Sequence, residues 1–346
     1  MSSLSSAARE KKEDRLAPFL SLFENGCFLA PMAGVNDPVF RAICKRMGAG
    51  LTYTEMVSAK GLEYASARSE GLLLMTEEER PAAVQLFGRD PATLAEQAQR
   101  LEERCGEDLA LIDINMGCPA RKIAGKGEGA ALMKEPELAG RILSSVVKAV
   151  QLPVTVKFRK GYGIEEDSAV EFARMAQDSG VAALTVHGRT AQQLYHGASD
   201  REVVARVKQA VSIPVIASGD VFTREDIRFY RKDCGADAVM VARGARGNPW
   251  LFAEARAVSG GDGAERDECV EGGWHREPSL EERVRVAHEH TARLAQLLPH
   301  RLPSMRRHIA WYFKGTPHAT AIRRAASDCT SLQDYEALFE QVLAWR

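Results

Sequence analysis

"ALIDINMGCPARK" (residues 110–122) sets an apolar, β-branched run against an abrupt polar stop. The run 109–116 reads as a buried strand. It closes on Asn115-Met116-Gly117, and a lone thiol, Cys118, follows with a proline and two cations, Arg121 and Lys122. Reactive side chains just past a strand are what parallel α/β sheets carry at the carboxyl ends of their strands. Whether the rest of the chain repeats this arrangement decides the fold.

It does repeat. Short apolar runs occur as "FLAPM" (28–32), "LTYTEM" (51–56), "AAVQLF" (82–87) and "LALIDINM" (109–116). Four more follow as "PVTVKFR" (153–159), "ALTVHG" (183–188), "PVIASGD" (214–220) and "AVMVARG" (238–244). Between them lie amphipathic segments such as "DPATLAEQAQRLEER" and "EPELAGRILSSVVKAVQ", apolar at helical spacing and begun by residues that suit helix starts. Eight βα units without a second sheet pattern predict an α/β chain folded as a (β/α)8 TIM barrel. The competing open sheet would carry G-x-G-x-x-G after its first strand, and none follows "FLAPM".

The barrel is expected over 21–257. "SGGDGAERDECVEGGWHREPS" is Gly-rich, charged and aperiodic, so 258–279 reads as a linker or long loop. From Leu280 to residue 346 the pattern is helical throughout, predicting a small all-helical C-terminal domain. Residues 1–20 contain no apolar core of the signal-peptide type and read as a disordered leader.

Composition narrows the function. With 45% hydrophobic residues, 27% charged and a net charge of −1, bulk charge alone suggests neither nucleic acid nor membrane. The seven cysteines form no C-x-x-C pair and no zinc spacing, which argues against a metal site or disulfides and suits a reducing compartment. No apolar run is long enough to cross a bilayer, and no obligate protein partner is indicated. A soluble, cytoplasmic protein is expected.

The chemically capable residues fall where such a barrel builds its active site. Pro31, Met32 and Ala33 end the first strand, Gln85 lies on the third and Cys118 follows the fourth. Lys157 lies on the fifth, His187 and Arg189 end the sixth, Gly219 and Asp220 the seventh, and Arg243 the eighth. Each alone is more often structural; a single cysteine is commonly a small core hydrophobe. Their shared placement at one mouth carries the inference. "ASGD" and "ARGARGNP" follow the last two strands, where barrels often bind phosphate, and Arg243 adds a bidentate donor. A phosphate-bearing cofactor follows. Lys157, inside an apolar strand, must snorkel or meet a partner, and a cofactor that gains electron density on reduction would be such a partner.

"LAPMAGVNDPVFR", "VQLFG", "DINMGCPARK", "VKFRKG", "VHGRT", "ASGD" and "ARGARGNPW", in this order, resemble the motifs of tRNA-dihydrouridine synthases, nearest the bacterial B-type branch. The likeness resumes at "MRRHIAWYFKG". It implies a flavin enzyme that reduces the C5=C6 bond of particular uridines in tRNA, with FMN recharged by NADPH. Carried over, Cys118 would protonate C5. Pro31, Met32, Ala33 and Gln85 would border the flavin ring, with Lys157 at its pyrimidine edge and His187 nearby. Ser218, Gly219, Asp220, Ala242 and Arg243 would hold the phosphate end, and Asn115 would contact flavin or base. Arg121, Lys122 and Lys126 would meet RNA phosphates. The branch commonly has Asn-Gly-Asp and Gly-Arg where this chain has Ser218-Gly219-Asp220 and Ala242-Arg243, and loop 258–279 is long for the family.

A thiol near pKa 8.5 is largely protonated at neutral pH and can act as an acid, but the same cations would favour its thiolate. The sequence leaves that tension open. Between His290 and Ser327 lie seven cations (Arg293, Arg301, Arg306, Arg307, Lys314, Arg323, Arg324), no Asp or Glu, and the triplet Trp311-Tyr312-Phe313. Cations with aromatics suit RNA, so tRNA is the expected partner, although at least one of the triplet should be core. The rivals are a small-molecule FMN barrel resembling dihydroorotate dehydrogenase and a non-catalytic RNA-binding barrel. The basic tail argues against the first, and the full set of capable residues against the second.

Overall fold

The computed structural model describes residues 6–254 and 277–345, with side chains from residue 16 onward. Nine strands form one sheet: β1 (Cys27–Leu29), β2 (Leu51–Thr52), β3 (Val57–Ser58), β4 (Ala82–Phe87), β5 (Leu109–Met116), β6 (Val154–Arg159), β7 (Ala183–His187), β8 (Val215–Ser218) and β9 (Ala238–Val241). Every pairing is parallel, in the order β2-β1-β9-β8-β7-β6-β5-β4-β3. A bridge between Tyr53 and Ala83, with the Thr54 amide donating to the Ala83 carbonyl at 2.9 Å, ties the end of β2 to β4 and closes the curl. The expected barrel is present.

One expected strand differs. "LTYTEM" is not continuous: it breaks after Tyr53 and resumes as β3. The break frees Glu55, which leaves the ladder to accept from the Gly34 amide (2.5 Å) and from Arg301 Nη2 (2.6 Å).

The strands form because their residues suit a surface buried on both faces. Phe28, Leu51, Tyr53, Leu111, Ile216 and Met240 fill the barrel interior, while Ile112, Ile114, Val154 and Val156 pack outward against the helix ring. The helices Pro38–Arg46 and Pro91–Cys105 start alike. Asp37 and Asp90 accept from the amides of Phe40 (2.9 Å) and Thr93 (2.7 Å), and a proline occupies the first turn.

The expectation of a disordered leader over 1–20 is corrected for its described part, where Ser6–Asn25 is one helix; residues 1–5 lie outside the described residues. Phe19, Leu22 and Phe23 anchor it on the barrel. Phe19 is 2% exposed and meets Phe23 edge-on, and Phe23 meets Phe28 of β1 in the same way.

The C-terminal region consists of helices Leu280–Leu297, Met305–Tyr312, Ala319–Asp328 and Leu332–Ala344. Ser279 with Glu282 and Ser331 with Asp334 form capping boxes at two of their starts. These helices share a core with the barrel, because Val39, Ile43 and Trp250 pack among Val284, Leu294, Met305, Ile309 and Phe339. At the seam Asp37 has a second role: His290 Nε2 lies 3.0 Å from its carboxylate and His308 Nε2 3.6 Å, while Tyr312 Oη lies 3.0 Å from His290 Nδ1. Gly247 (φ +66°) allows the close approach here, since a Cβ would stand 2.2 Å from the Trp311 backbone.

The expected aromatic patch is corrected in part. Tyr312 and Phe313 are 0% and 1% exposed and belong to the shared core; of the triplet, Trp311 retains some exposure. Two of the seven cations also act between domains: Arg301 holds Glu55, and Arg293 pairs with Glu78 (2.9 Å) and Glu289 (3.1 Å). The expected loop 258–279 falls outside the described residues as far as 276. Among the described residues, no helix is long and apolar enough to cross a membrane.

Candidate active site

At the carboxyl ends of the strands the barrel opens into a cavity of about 420 Å³. Pro31, Met32 and Ala33 after β1, Gln85 of β4 and Asn115 of β5 line it. So do Lys157 of β6, His187 of β7, Ser218-Gly219-Asp220 at β8, and Ala242-Arg243 after β9. Cys118 stands on its wall. Register explains the convergence. Asn115 pairs with Lys157 and His187 with Ser218 across neighbouring parallel strands, so their side chains project at adjacent levels of one face.

The Cys118 loop is tightly held. Asn115 Oδ1 accepts from the amides of Gly117 (3.2 Å) and Cys118 (2.9 Å). Arg159 Nε donates to the Gly117 carbonyl at 2.8 Å, and its Nη1 donates to the Thr190 (2.9 Å) and Leu194 (3.1 Å) carbonyls, stapling this loop to the one after β7. Burial pushes the Cys118 thiol up, against the Ala120 amide and the cations Arg159, Lys122 and Lys157, which pull it down. Burial prevails. The tension left open above resolves toward a protonated thiol.

Enclosure in the barrel pulls the Lys157 ammonium down to about 8, with Arg159 adding to the shift and Asp113 opposing it. Burial, together with Lys157, Arg159, Arg189 and Arg243, drives His187 well below the usual imidazole range, so it is neutral. The Arg189 amide donates to His187 Nδ1 at 3.1 Å, which leaves the ring proton on Nε2 as a donor.

The end of the cavity beyond β8 and β9 is cationic. Asp220, held at φ +47°, accepts two bonds from Arg189 (2.8 and 2.5 Å) and one from Arg243 (2.7 Å), so its charge is already balanced. Its contribution is to aim Arg243. Gly219 (φ +118°) has no room for a side chain, because a Cβ would stand 2.3 Å from Ser199 Oγ. Arg246 lines the same end, its guanidinium 5.1 Å from the Trp311 ring and its Nε without a hydrogen-bond partner among the described residues. An anionic group is what this end accommodates.

The cations expected to meet RNA lie mostly outside the cavity. Lys122 lines it, but Arg121 and Lys126 are exposed outside, as are Arg306, Arg307 and Lys314 on the helical domain. Arg307 nevertheless lies at the mouth, where a Cβ on Gly34 would be 3.2 Å from its Nη1. Sequence reasoning missed Met56, Arg159 and Arg246, and the exposed rim aromatics Tyr195 and Phe222, whose rings lie 4.9 and 5.4 Å from the Arg243 guanidinium. Arg246 stood within the quoted "ARGARGNPW"; its register after β9 was the available signal.

The family model described as dihydrouridine synthase matches residues 28–344. The chain is similar to "tRNA-dihydrouridine synthase B" of Pseudomonas aeruginosa, 38% identical over 326 residues that cover 93% of this chain and 92% of the relative. It is also similar to the proteins of that name from Pasteurella multocida (38% identity, 89% of each chain) and Pectobacterium carotovorum (45% identity, 66% and 71%).

Proposed function

The chain belongs to the dihydrouridine synthase family, and from that premise we propose that it reduces the C5=C6 bond of uridines in tRNA, with FMN as resident cofactor and NADPH as reductant. The observation that carries this is the meeting, in one cavity, of a protonated Cys118, a cationic end and the side chains of Lys157 and His187.

The residues fit FMN. Arg243 and Arg246 suit its phosphate: the two guanidiniums supply charge, and Arg246 Nε is an orphan donor among the described residues. Pro31, Met32, Ala33 and Met56 offer an apolar bed for a flat ring. Lys157 and the His187 Nε2–H are donors for the electron-rich edge of such a ring, and Gln85 and Asn115 offer amides beside it. When bound, FMN supplies a hydride to C6 of the uracil.

The chain's own residues do the rest. Cys118 holds its proton until charge builds on the uracil and then gives it from Sγ to C5. The Arg159 staple holds the Cys118 loop against the loop after β7, and Tyr195 and Phe222 offer flat faces at the rim for an extruded base. Arg306, Arg307, Lys314, Arg323 and Arg324 are exposed and without ion-pair partners among the described residues, a set suited to tRNA phosphates. Arg307 at the mouth makes that face continuous with the cavity. A free pyrimidine needs no such face, which favours RNA over a dihydroorotate-type substrate.

The decisive experiment is dihydrouridine measured by nucleoside mass spectrometry after purified protein meets unmodified tRNA, FMN and NADPH. Product is expected; its absence, with fully modified tRNA lacking only dihydrouridine also untouched, rejects the proposal. A second expectation concerns the RNA face. Replacing Arg306, Arg307 and Lys314 by Ala should weaken tRNA binding in filter assays and reduce its salt slope by roughly 0.7–0.9 per lost phosphate contact. FMN affinity should not change. An unaltered salt slope would place the RNA elsewhere.

A further inference from the structure

We infer that Asp113 is a positioning residue that fixes the direction of a hydrogen-bond chain ending on the Cys118 loop, an inference that rests on the role proposed for Cys118. Asp113 lies on β5, fully buried, between Ile112 and Ile114. A strand this apolar has no packing need for an acid, and a buried carboxylate is costly unless it is used.

Its use is visible in the partners. Asp113 Oδ1 accepts from Thr155 Oγ1 and Oδ2 accepts from Gln85 Nε2, each at 2.6 Å. With its amide nitrogen so engaged, Gln85 turns Oε1 to accept from Asn115 Nδ2 at 2.7 Å. Asn115 is then obliged to show Oδ1 to the loop, where the Gly117 and Cys118 amides donate to it.

Each side-chain amide has a donor end and an acceptor end, and only its neighbours decide which faces where. Here both termini are one-way: an ionised carboxylate can only accept and a backbone N–H can only donate. Turning Gln85 over would set oxygen against carboxylate and nitrogen against nitrogen. The chain is therefore satisfied in one direction alone, and its members reinforce one another. Cys118 hangs from the amide at the end of it. Burial pushes Asp113 up to about 6, opposed by its bonds to Gln85 and Thr155 and by Lys157, so near neutral pH it is ionised and acts as acceptor.

The test uses the folded full chain without added cofactor and follows alkylation of Cys118 by iodoacetamide, peptide by peptide. Cys105, half-buried at the end of helix Pro91–Cys105, is the internal reference. Asp113→Asn keeps an acceptor toward Gln85 and can turn its amide nitrogen to Thr155, whose hydroxyl can also accept. It should leave Cys118 near its native rate. Asp113→Ala and Gln85→Leu each break the chain and should accelerate Cys118 by about fivefold or more, the scale of one lost hydrogen bond, with Cys105 unchanged. Native rates in both, or an Asn variant that behaves like Ala, overturn the inference. Should Asp113→Ala fail to fold, Gln85→Leu against Asp113→Asn decides. Because no flavin is present, failure of the cofactor reading leaves this contrast intact.

Discussion

Cys118→Ala is expected to bind FMN and oxidise NADPH at the native rate while dihydrouridine formation falls by about 10²–10⁴-fold, the range of a lost general acid. The separation follows from geometry. Cys118 sits on the cavity wall, whereas the cationic end proposed for the phosphate is built from Gly219, Arg243 and Arg246 in the segments after β8 and β9. The thiol suits the task because burial outweighs the Ala120 amide, Arg159, Lys122 and Lys157, so the proton is present when needed. Cys118→Ser should be impaired nearly as much, because an alkanol is a far weaker acid than a thiol. Stopped-flow NADPH oxidation without tRNA, beside nucleoside mass spectrometry with it, separates the two half-reactions. Full product formation in Cys118→Ala would remove the acid role.

What the sequence made legible follows from what is local. β5 and β6 read correctly because their apolar runs are continuous and β-branched, and their ends mark the mouth, so Asn115, Cys118 and Lys157 could be placed together. The interruption at Thr54–Met56 was not legible, because its cause is distant: Glu55 is drawn out by Gly34 and by Arg301, which lies 246 residues further along. Arg159 was not singled out because the carbonyls it binds belong to loops whose paths no local pattern encodes. Tyr312 and Phe313 looked available to RNA because the partners that bury them, Val39, Ile43 and Trp250, lie on the barrel. The N-terminal helix was misread for the same reason, since its anchor, Phe28, belongs to β1.

Folding stability is expected to fall as pH drops from 7 toward 4, with the seam between barrel and helical domain responsible. His308 is 1% exposed, both ring nitrogens lack hydrogen-bond partners among the described residues, and burial depresses it to about 3. His290, Arg307 and Arg301 push the same way, and Asp37 opposes them. The sign follows from proton uptake. Between the unfolded value near 6.5 and the folded one, the unfolded chain binds a proton that the native state refuses, so acid favours unfolding. At pH 4 this single group removes about 3 kcal/mol relative to pH 7, at roughly 1.4 kcal/mol for each unit of separation. Asp37 acts in the same direction at lower pH, because its carboxylate is held well below the usual range even though burial, the largest influence on it, pushes up; His290, His308 and the Phe40 amide outweigh that. His308→Gln has no proton to take up. Urea unfolding of that variant from pH 7 to pH 4.5 should therefore show a flatter stability profile than the native chain, whatever its absolute stability. Parallel profiles would mean that His308 is already charged in the folded protein, and that Asp37 holds the two domains together as an ion pair rather than through a neutral imidazole.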